Sequence, residues 1–389
     1  MKKKILAMLL CAATLLTFTG CGNGGDNTET AAEENAVRSG EIKVEASKQV
    51  SKLSDYEKIP LTITGTYDVT DEMFNSQIED IIKQFGLTVD VTDHNVVQDG
   101  DIVNVDYTGY LDGTAFDNGS ATGALIDVTN NQDASQGTGF IDGFSAGLVG
   151  ASVGSEVSSD VTFPESYQEA TLAGKLTTFK FKVNSICRFL TMDELTDEIV
   201  NEKFASYGFT TVQDLKDDIQ QYLDSSASSS KYNDTVTAAK AYVLENSTIE
   251  IPDDYFNARV NEYQSSFEET NGDIETYATS NNIDVDDFKD KLKEYVKTQV
   301  ETEFAFLVIA DKAGIKIDED EFATFVQNFV DNSSYGFSDT DAVYKYFGND
   351  QADEGEAYMR DLYLVNKAID YVVENADVTV QASQGTEAQ

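Results

Sequence analysis

The chain of 389 residues exceeds one comfortable hydrophobic core, so two or three domains are expected. With 70 acidic against 27 basic residues the formal net charge is −43, which argues against nucleic acid or anionic lipid as a partner, because phosphate binding needs clustered Lys and Arg. The single histidine, His94, excludes His-rich metal sites and Ser-His-Asp chemistry; it reads as a loop or strand-entry residue, and no metal or other cofactor is expected.

Lys2-Lys3-Lys4 followed by apolar Ile5 to Phe18 has the form of an export signal and is too short for a membrane span. Phe18-Thr19-Gly20-Cys21 resembles a bacterial lipobox, whose cysteine becomes the diacylglycerol-modified first residue. Residues 1–21 are thus expected to be a lipoprotein signal with Cys21 as the lipidation site; the alternative is an ordinary signal with a chance cysteine. Residues 22–51, polar and without apolar period, read as a flexible tether. Cys11 lies in the signal and Cys21 at the anchor, so Cys187 is left without a disulfide partner and reads as a half-buried structural thiol after a strand.

Residues 52–97 read as a strand and a helix. Leu61 and Ile63, and as an extension Tyr67, alternate; Thr70-Asp71-Glu72 then offers an N-cap and first-turn acids to a helix carrying Phe74, Ile78, Ile81, Ile82 and Phe85, ended by Gly86. Asp99-Gly100 turns the chain into Val103, Val105 and Tyr107, which alternate with polar residues as a half-buried strand that Gly109 is expected to end. Asp112-Gly113 turns back toward Phe116-Asp117. Ala124, Ile126 and Val128 alternate, Phe140 to Phe144 looks like the start of a short helix, and Phe179, Phe181 and Val183 alternate again. Residues 98–189 therefore read as an antiparallel sheet wrapped on a short helix within an α+β chain. On periodicity alone, the plainer reading of the Phe116 region is a hairpin with that ring in its core.

Residues 190–378 turn helical. A first segment runs from Met192 to about Gly208. Thr210-Thr211-Val212-Gln213 has a capping-box look and opens a helix through Leu215, Ile219, Tyr222 and Leu223. Residues 225–230, almost all serine, are an exposed helix face or a brief break. Further helices open at Asp253-Asp254, near Val285 and at Asp318, and the last holds Tyr358, Leu362, Ile369 and Val372. Residues 379–389 read as a disordered tail. The acid clusters at 284–287 and 318–321 lack the loop glycine and terminal Glu of an EF-hand and read as helix N-terminal charge.

In order, Val-Asp-Tyr-Thr-Gly (105–109), Asp-Gly (112–113), Phe-Asp (116–117), Gly-Phe-Ile-Asp-Gly-Phe (139–144), Val-Gly (149–150), Thr-Phe-Pro-Glu-Ser-Tyr (162–167) and Phe-Lys-Phe-Lys-Val (179–183) resemble an FKBP-type peptidyl-prolyl isomerase domain, closest to the trigger factor branch. The helical part, broken by Ile-Glu-Ile-Pro and Gly-Ile-Lys-Ile, resembles the C-terminal chaperone region of trigger factors, although a bundle that merely buries its own stripes would show the same periodicity. The resemblance implies that Tyr107, Phe116, Asp117, Ile141, Phe144 and Phe179 form the catalytic pocket. It implies that Phe140, Ala124, Ile126 and Tyr167 add substrate contacts, and that the Ile141 N–H holds the substrate carbonyl while Tyr107 and Asp117 fix polar contacts. Phe144 stands where many members have Trp, Ala124 near a position usually filled by Phe, and no second loop tyrosine follows Tyr167 and Gln168.

The expectation is an extracytoplasmic, lipid-anchored isomerase and folding chaperone acting on unfolded, exported polypeptides with Xaa-Pro bonds. The other-class alternative is a holdase or adaptor with a silent FKBP-like domain. A ribosome partner is not expected, since Gly-Phe-Arg-x-Gly-Lys-x-Pro, the docking signature of cytosolic relatives, does not occur.

Overall fold

The structure is a computed structural model and describes residues 38–382. The expected signal and lipobox with Cys21, residues 22–37 of the expected tether, and residues 383–389 of the expected tail lie outside the described residues.

Residues 38–51 are folded, which corrects the tether expected to extend to 51. Helix α1 (Ala46–Gln49) leads into strand β1 (Val50–Lys52). Val44, Ala46 and Val50 pack against buried Val296 and Val300, an apolar set too brief to register as a period. Arg38 Nη2 donates to Glu354 at 3.0 Å, and Ser39 donates its N–H and hydroxyl to the Glu262 carboxylate at 2.7 Å each. Strand β2 (Pro60–Thr64) buries Leu61 and Ile63 on one face. It pairs in parallel with Asp377–Gln381, near the other end of the chain.

By internal packing the described chain forms two units, Asp68–Ser226 and residues 38–67 with 227–382. The first unit opens with α2 (Asp71–Gln84), where Thr70 accepts from the Met73 N–H at 3.2 Å and Gly86 at φ +59° ends the helix as the sequence led one to expect. Its buried Ile78, Ile81 and Ile82 pack with Leu195, Val200, Phe204, Leu215 and Ile219. Strands β3 (Thr88–Asp90), β4 (Ile102–Leu111), β5 (Thr114–Asp127), β6 (Gln132–Asp133), β7 (Glu156–Thr162) and β8 (Leu176–Phe189) follow. All pairings are antiparallel, in the order β3-β8-β4-β5-β6, with β7 also on β8. Cys187 lies inside β8 rather than after a strand and is fully buried, which pushes its thiol pKa up to about 11.

Two local expectations change. β4 does not end at Gly109; it runs on to Leu111, pairing Gly109 with Phe179. The short helix expected from Phe140 onward is instead a succession of turns, closed by bonds from Phe144 N to the Ile141 carbonyl, Leu148 N to Ser145 and Ala151 N to Leu148. Gly143 at φ +85° and Gly150 at φ +86° leave the right-handed region that a helix requires.

After α3 (Asp197–Phe204), α4 (Val212–Asn246) runs unbroken for 35 residues, with the serine run as its exposed face. Its cap is Thr211, which accepts from the Asp214 N–H at 3.1 Å while the Asp214 carboxylate takes the Thr210 and Thr211 N–H groups; the partner is Asp214 rather than Gln213.

The second unit continues with β9 (Thr248–Ile249), which pairs with β1, then α5 (Asp253–Asn271), α6 (Ile274–Ser280), α7 (Val285–Ala313), α8 (Glu319–Asp331), α9 (Thr340–Phe347), α10 (Ala352–Glu374) and β10 (Asp377–Gln381). The core lies between α7 and α10, where Ala305, Phe306 and Ile309 meet Val365, Ala368, Ile369 and Val372. Asp284 and Asp318 cap α7 and α8, accepting from Asp287 N at 3.0 Å and from Asp320 and Glu321 N at 3.0 and 3.1 Å. Thr379–Gln381, expected in the disordered tail, belong to β10: its backbone groups find partners on β2, more than 300 residues earlier, which a local pattern cannot reveal.

Candidate active site

Antiparallel pairing of β4 with β8 sets Tyr107 opposite Phe181 and Gly109 opposite Phe179. Phe144, delivered by the turns after β6, inserts its edge between them: ring centroids lie 5.2 Å from Tyr107, 4.8 Å from Phe179 and 5.1 Å from Phe181. Phe140 stacks on Phe144 at 4.3 Å, and Phe116 meets Phe179 edge-on at 5.7 Å. Such tilted contacts match ring quadrupoles and hold a rigid apolar surface. Phe144 and Phe179 are buried, whereas Tyr107, Phe116, Phe140 and Ile141 are half-buried and form the rim. Burial, and secondarily the Asp133 charge, raises the Tyr107 pKa, so the phenol remains a neutral donor at physiological pH.

Glycines make room for these rings. A Cβ on Gly109 would meet Phe179 Cε1 at 2.7 Å and collide with the Phe116 ring; one on Gly119 would meet Phe116 Cδ2 at 2.7 Å. The Phe116 ring thus fills the space that side chains at Gly109 and Gly119 would take on the paired strands β4 and β5. A plain hairpin core would not need two glycines facing one ring.

The other expected residues divide. Ile141 lies at the rim, and its backbone N–H has no acceptor among the described residues. Asp117 is exposed, and its carboxylate makes no hydrogen bond to the ring cluster. Ala124 pairs with Val105 and is half-buried. Ile126 is fully buried and pairs with Val103, which corrects its assignment as a substrate contact: it supports the sheet from within. Tyr167 is 41% exposed; it packs on Phe163 at 4.6 Å, and Phe163 in turn meets Phe116 at 6.0 Å. Tyr167 lines an open depression with Pro164, Ser166, Gln168 and Glu169.

Sequence reasoning missed Phe163 and Phe181 as parts of the ring cluster, though Phe181 stood in an alternating run and Phe163 in the Thr-Phe-Pro-Glu-Ser-Tyr motif. It also missed Asn131, at φ +49°. The Asn131 carboxamide donates to the Phe140 and Ile141 carbonyls at 3.2 and 2.9 Å and accepts from the Ser145 N–H at 2.9 Å. Nothing local in the sequence marks that residue. Among the described residues no cluster of metal-ligating side chains occurs, and the cluster of rings offers apolar contact and hydrogen bonding rather than acid-base work.

Residues 94–185 match the FKBP-type peptidyl-prolyl cis-trans isomerase family, and residues 211–374 match the bacterial trigger factor C-terminus. The chain is similar to the trigger factor of Staphylococcus saprophyticus, 27% identical over 341 residues that make up 87% of this chain and 73% of that protein. It is similar to the trigger factor of Staphylococcus epidermidis, 28% identical over 69% of this chain and 60% of that protein, and to that of Acetivibrio thermocellus, 26% identical over 89% and 76%. A solved structure described under "Promiscuous Substrate Recognition in Folding and Assembly Activities of the Trigger Factor Chaperone" is similar at 17% identity and a TM-score of 0.45, over 83% of this chain and 73% of that one. An α+β domain of the FKBP type, by class a peptidyl-prolyl cis-trans isomerase, thus precedes a helical domain of the trigger factor type, and the chain is homologous to trigger factors.

Proposed function

We propose, for this homologue of trigger factors, an extracytoplasmic prolyl isomerase and folding chaperone, held to the cell membrane by lipid on Cys21 and acting on exported polypeptides. The observation that carries the isomerase reading is the half-buried aromatic rim of Tyr107, Phe116 and Phe140 over buried Phe144 and Phe179, beside the Ile141 N–H, which has no acceptor among the described residues.

Rotation about an Xaa-Pro bond breaks amide resonance and no covalent bond, against a barrier of roughly 18–20 kcal/mol. The planar amide is more dipolar than the twisted one, so a water-poor aromatic surface disfavours the ground state relative to the twist. The Ile141 N–H anchors the substrate carbonyl, the Tyr107 hydroxyl supplies a neutral donor, and the proline ring rests on the half-buried Phe116 and Phe140, which the buried Phe144 and Phe179 support from beneath. Lowering the barrier by about 4 kcal/mol gives roughly a thousandfold acceleration.

Support for the chaperone role comes from the second unit, where Tyr335, Phe337, Tyr346 and Phe347 form a run of ring contacts at 5.2–6.1 Å and Tyr346 is 53% exposed. Support for export and anchoring comes from residues 1–21 and their lipobox-like end. Cis-to-trans relaxation of a short Xaa-Pro peptide tests the enzyme reading: the full chain accelerates it, and an unchanged rate overturns that reading. Fractionation tests the anchor. The Cys21→Ser chain leaves the membrane fraction, and a variant that stays there with the parent overturns lipidation at Cys21. The exposed, detached Asp117 carboxylate favours a second reading, a holdase with a silent isomerase domain, which predicts suppressed aggregation and no acceleration.

A further inference from the structure

Asn131 is the element around which the Ile141 corner is built. The chain from Phe140 to Ser145 is neither helix nor strand, and within it only the bond from Phe144 N to the Ile141 carbonyl, at 3.1 Å, fixes the backbone. Beyond the segment, the Ala146 and Leu148 N–H groups donate to the Gly143 and Ser145 carbonyls and the Ser145 hydroxyl donates to the Val128 carbonyl; Asn131 supplies the bonds at the Phe140–Ile141 side. Its backbone carbonyl accepts the Phe140 N–H at 2.8 Å, its side-chain nitrogen donates to the Phe140 and Ile141 carbonyls, and its side-chain oxygen accepts the Ser145 N–H. One residue therefore holds four backbone groups across the corner.

Peptide geometry gives this clamp a direction. The Phe140 carbonyl and the Ile141 N–H belong to one rigid peptide unit, and no peptide bond among the described residues is cis. In a trans unit the C=O and N–H point to opposite sides. Holding the carbonyl toward the Asn131 carboxamide therefore turns the Ile141 N–H away from it, and that N–H has no acceptor among the described residues. An unsatisfied donor at a half-buried position is held open only if the backbone is prevented from rotating. Asn is suited to the task because it tolerates the left-handed φ of +49° found here and carries both donors and an acceptor on a short side chain.

We propose that Asn131 is a positioning residue for the isomerase site, aiming the Ile141 N–H at the substrate carbonyl by clamping the Phe140 and Ile141 carbonyls from behind. The assignment rests on the isomerase reading given above. A hydrogen bond to a carbonyl is made as well before the prolyl bond turns as during the turn, so its loss falls on KM with kcat nearly kept. A smaller folded fraction would do the reverse.

The test compares the full chain with its Asn131→Asp and Asn131→Gly variants in relaxation of an Xaa-Pro peptide over a range of peptide concentrations. Asn131→Asp loses both donors and keeps the acceptor for Ser145; Asn131→Gly keeps the left-handed backbone and loses the side chain. Both lose about tenfold in kcat/KM, the worth of one ordinary hydrogen bond, through a raised KM. A loss carried by kcat with KM unchanged overturns the proposal, as do variants with the parent's constants. Selective ¹⁵N-isoleucine labelling gives a second reading that no variant's folding can spoil. Added prolyl peptide shifts the Ile141 amide of the unaltered chain; an indifferent amide in a chain that accelerates isomerisation overturns the anchoring role of the Ile141 N–H and with it the role of Asn131, while the isomerase reading stands. If the unaltered chain accelerates nothing, the isomerase reading fails first and takes this one with it.

Discussion

The ring of Phe116 fills the space in front of Gly109, a strand position where any side chain would strike both it and the ring of Phe179. A glycine inside a strand weakens it, since it brings no packing of its own and loses much backbone freedom. Here the loss is offset by what the bare backbone admits, a flat aromatic ring at the rim of the site. The expectation that Gly109 ends its strand mistook this packing role for a stop signal.

Gly109→Ala therefore acts on the site more than on the fold. Overpacking of this kind costs about 1–3 kcal/mol. Urea unfolding of the first unit shows a loss in that range, while peptide isomerisation falls by a larger factor because two of the rings have moved. Retained activity would show that Phe116 is not part of the site.

Phe116→Ala separates the two activities. The ring is half-buried and lies wholly within the first unit, so its removal abolishes acceleration of Xaa-Pro isomerisation and leaves suppression of aggregation by the full chain intact. Aggregation assays and peptide relaxation on the same preparation read this directly. If both activities fall together, the division of labour proposed between the domains is wrong.

His94 sits between Asp101, at 3.0 Å from Nε2, and Asp93 at its Nδ1, and the bonds it donates first to Asp101 and then to Asp93 raise its pKa above the ordinary 6.5. The folded state thus holds the proton more tightly than the unfolded chain. Its contribution to stability is complete below the unfolded pKa and is lost as pH rises through the folded one. Denaturation midpoints of the parent and of His94→Gln will differ most near pH 6 and converge in alkaline solution. A difference that grows with pH would contradict the arrangement.

Arg259, 4% exposed, donates to Glu303 at 2.7 and 2.9 Å and to the Tyr255 hydroxyl at 2.9 Å, with the Tyr263 and Tyr358 rings about its guanidinium. Glu303→Ala leaves that cation with the longer Glu262 contact, at 3.8 Å, as its carboxylate partner in the second unit. The expected loss is about 3–5 kcal/mol, far above that of an exposed pair. It should appear in the unfolding of the second unit, followed by tyrosine fluorescence, with the isomerase rate of the native chain kept.

Burial lifts the Cys187 thiol to about 11, so little thiolate exists at pH 8. Mass mapping after alkylation of the native chain leaves Cys187 unmodified, and labelling appears only with denaturant. Modification of the native chain at pH 8 would mean that β8 opens locally.

What the sequence by itself determined was local. Thr70 and Gly86 bound α2 because capping and left-handed termination involve neighbouring residues, and the alternation around Tyr107 and Phe179 revealed β4 and β8 because strand period is a property of the strand. The order of short motifs pointed to the ring cluster, since rings that share a pocket recur in a set order along related chains. Tertiary structure decided the rest, because each remaining feature depends on a partner distant in the chain. Residues 38–51 are ordered only against α7 and the groups around Glu262 and Glu354; Thr379–Gln381 become a strand only because β2 is there to pair with them. Asn131 gains its four bonds only when the corner of Phe140 to Ser145 folds over it, and Gly109 shows its purpose only once Phe116 and Phe179 arrive. A side chain's period can be read from its neighbours in sequence, whereas the direction of an N–H or the space above a glycine is fixed by atoms that only folding brings near.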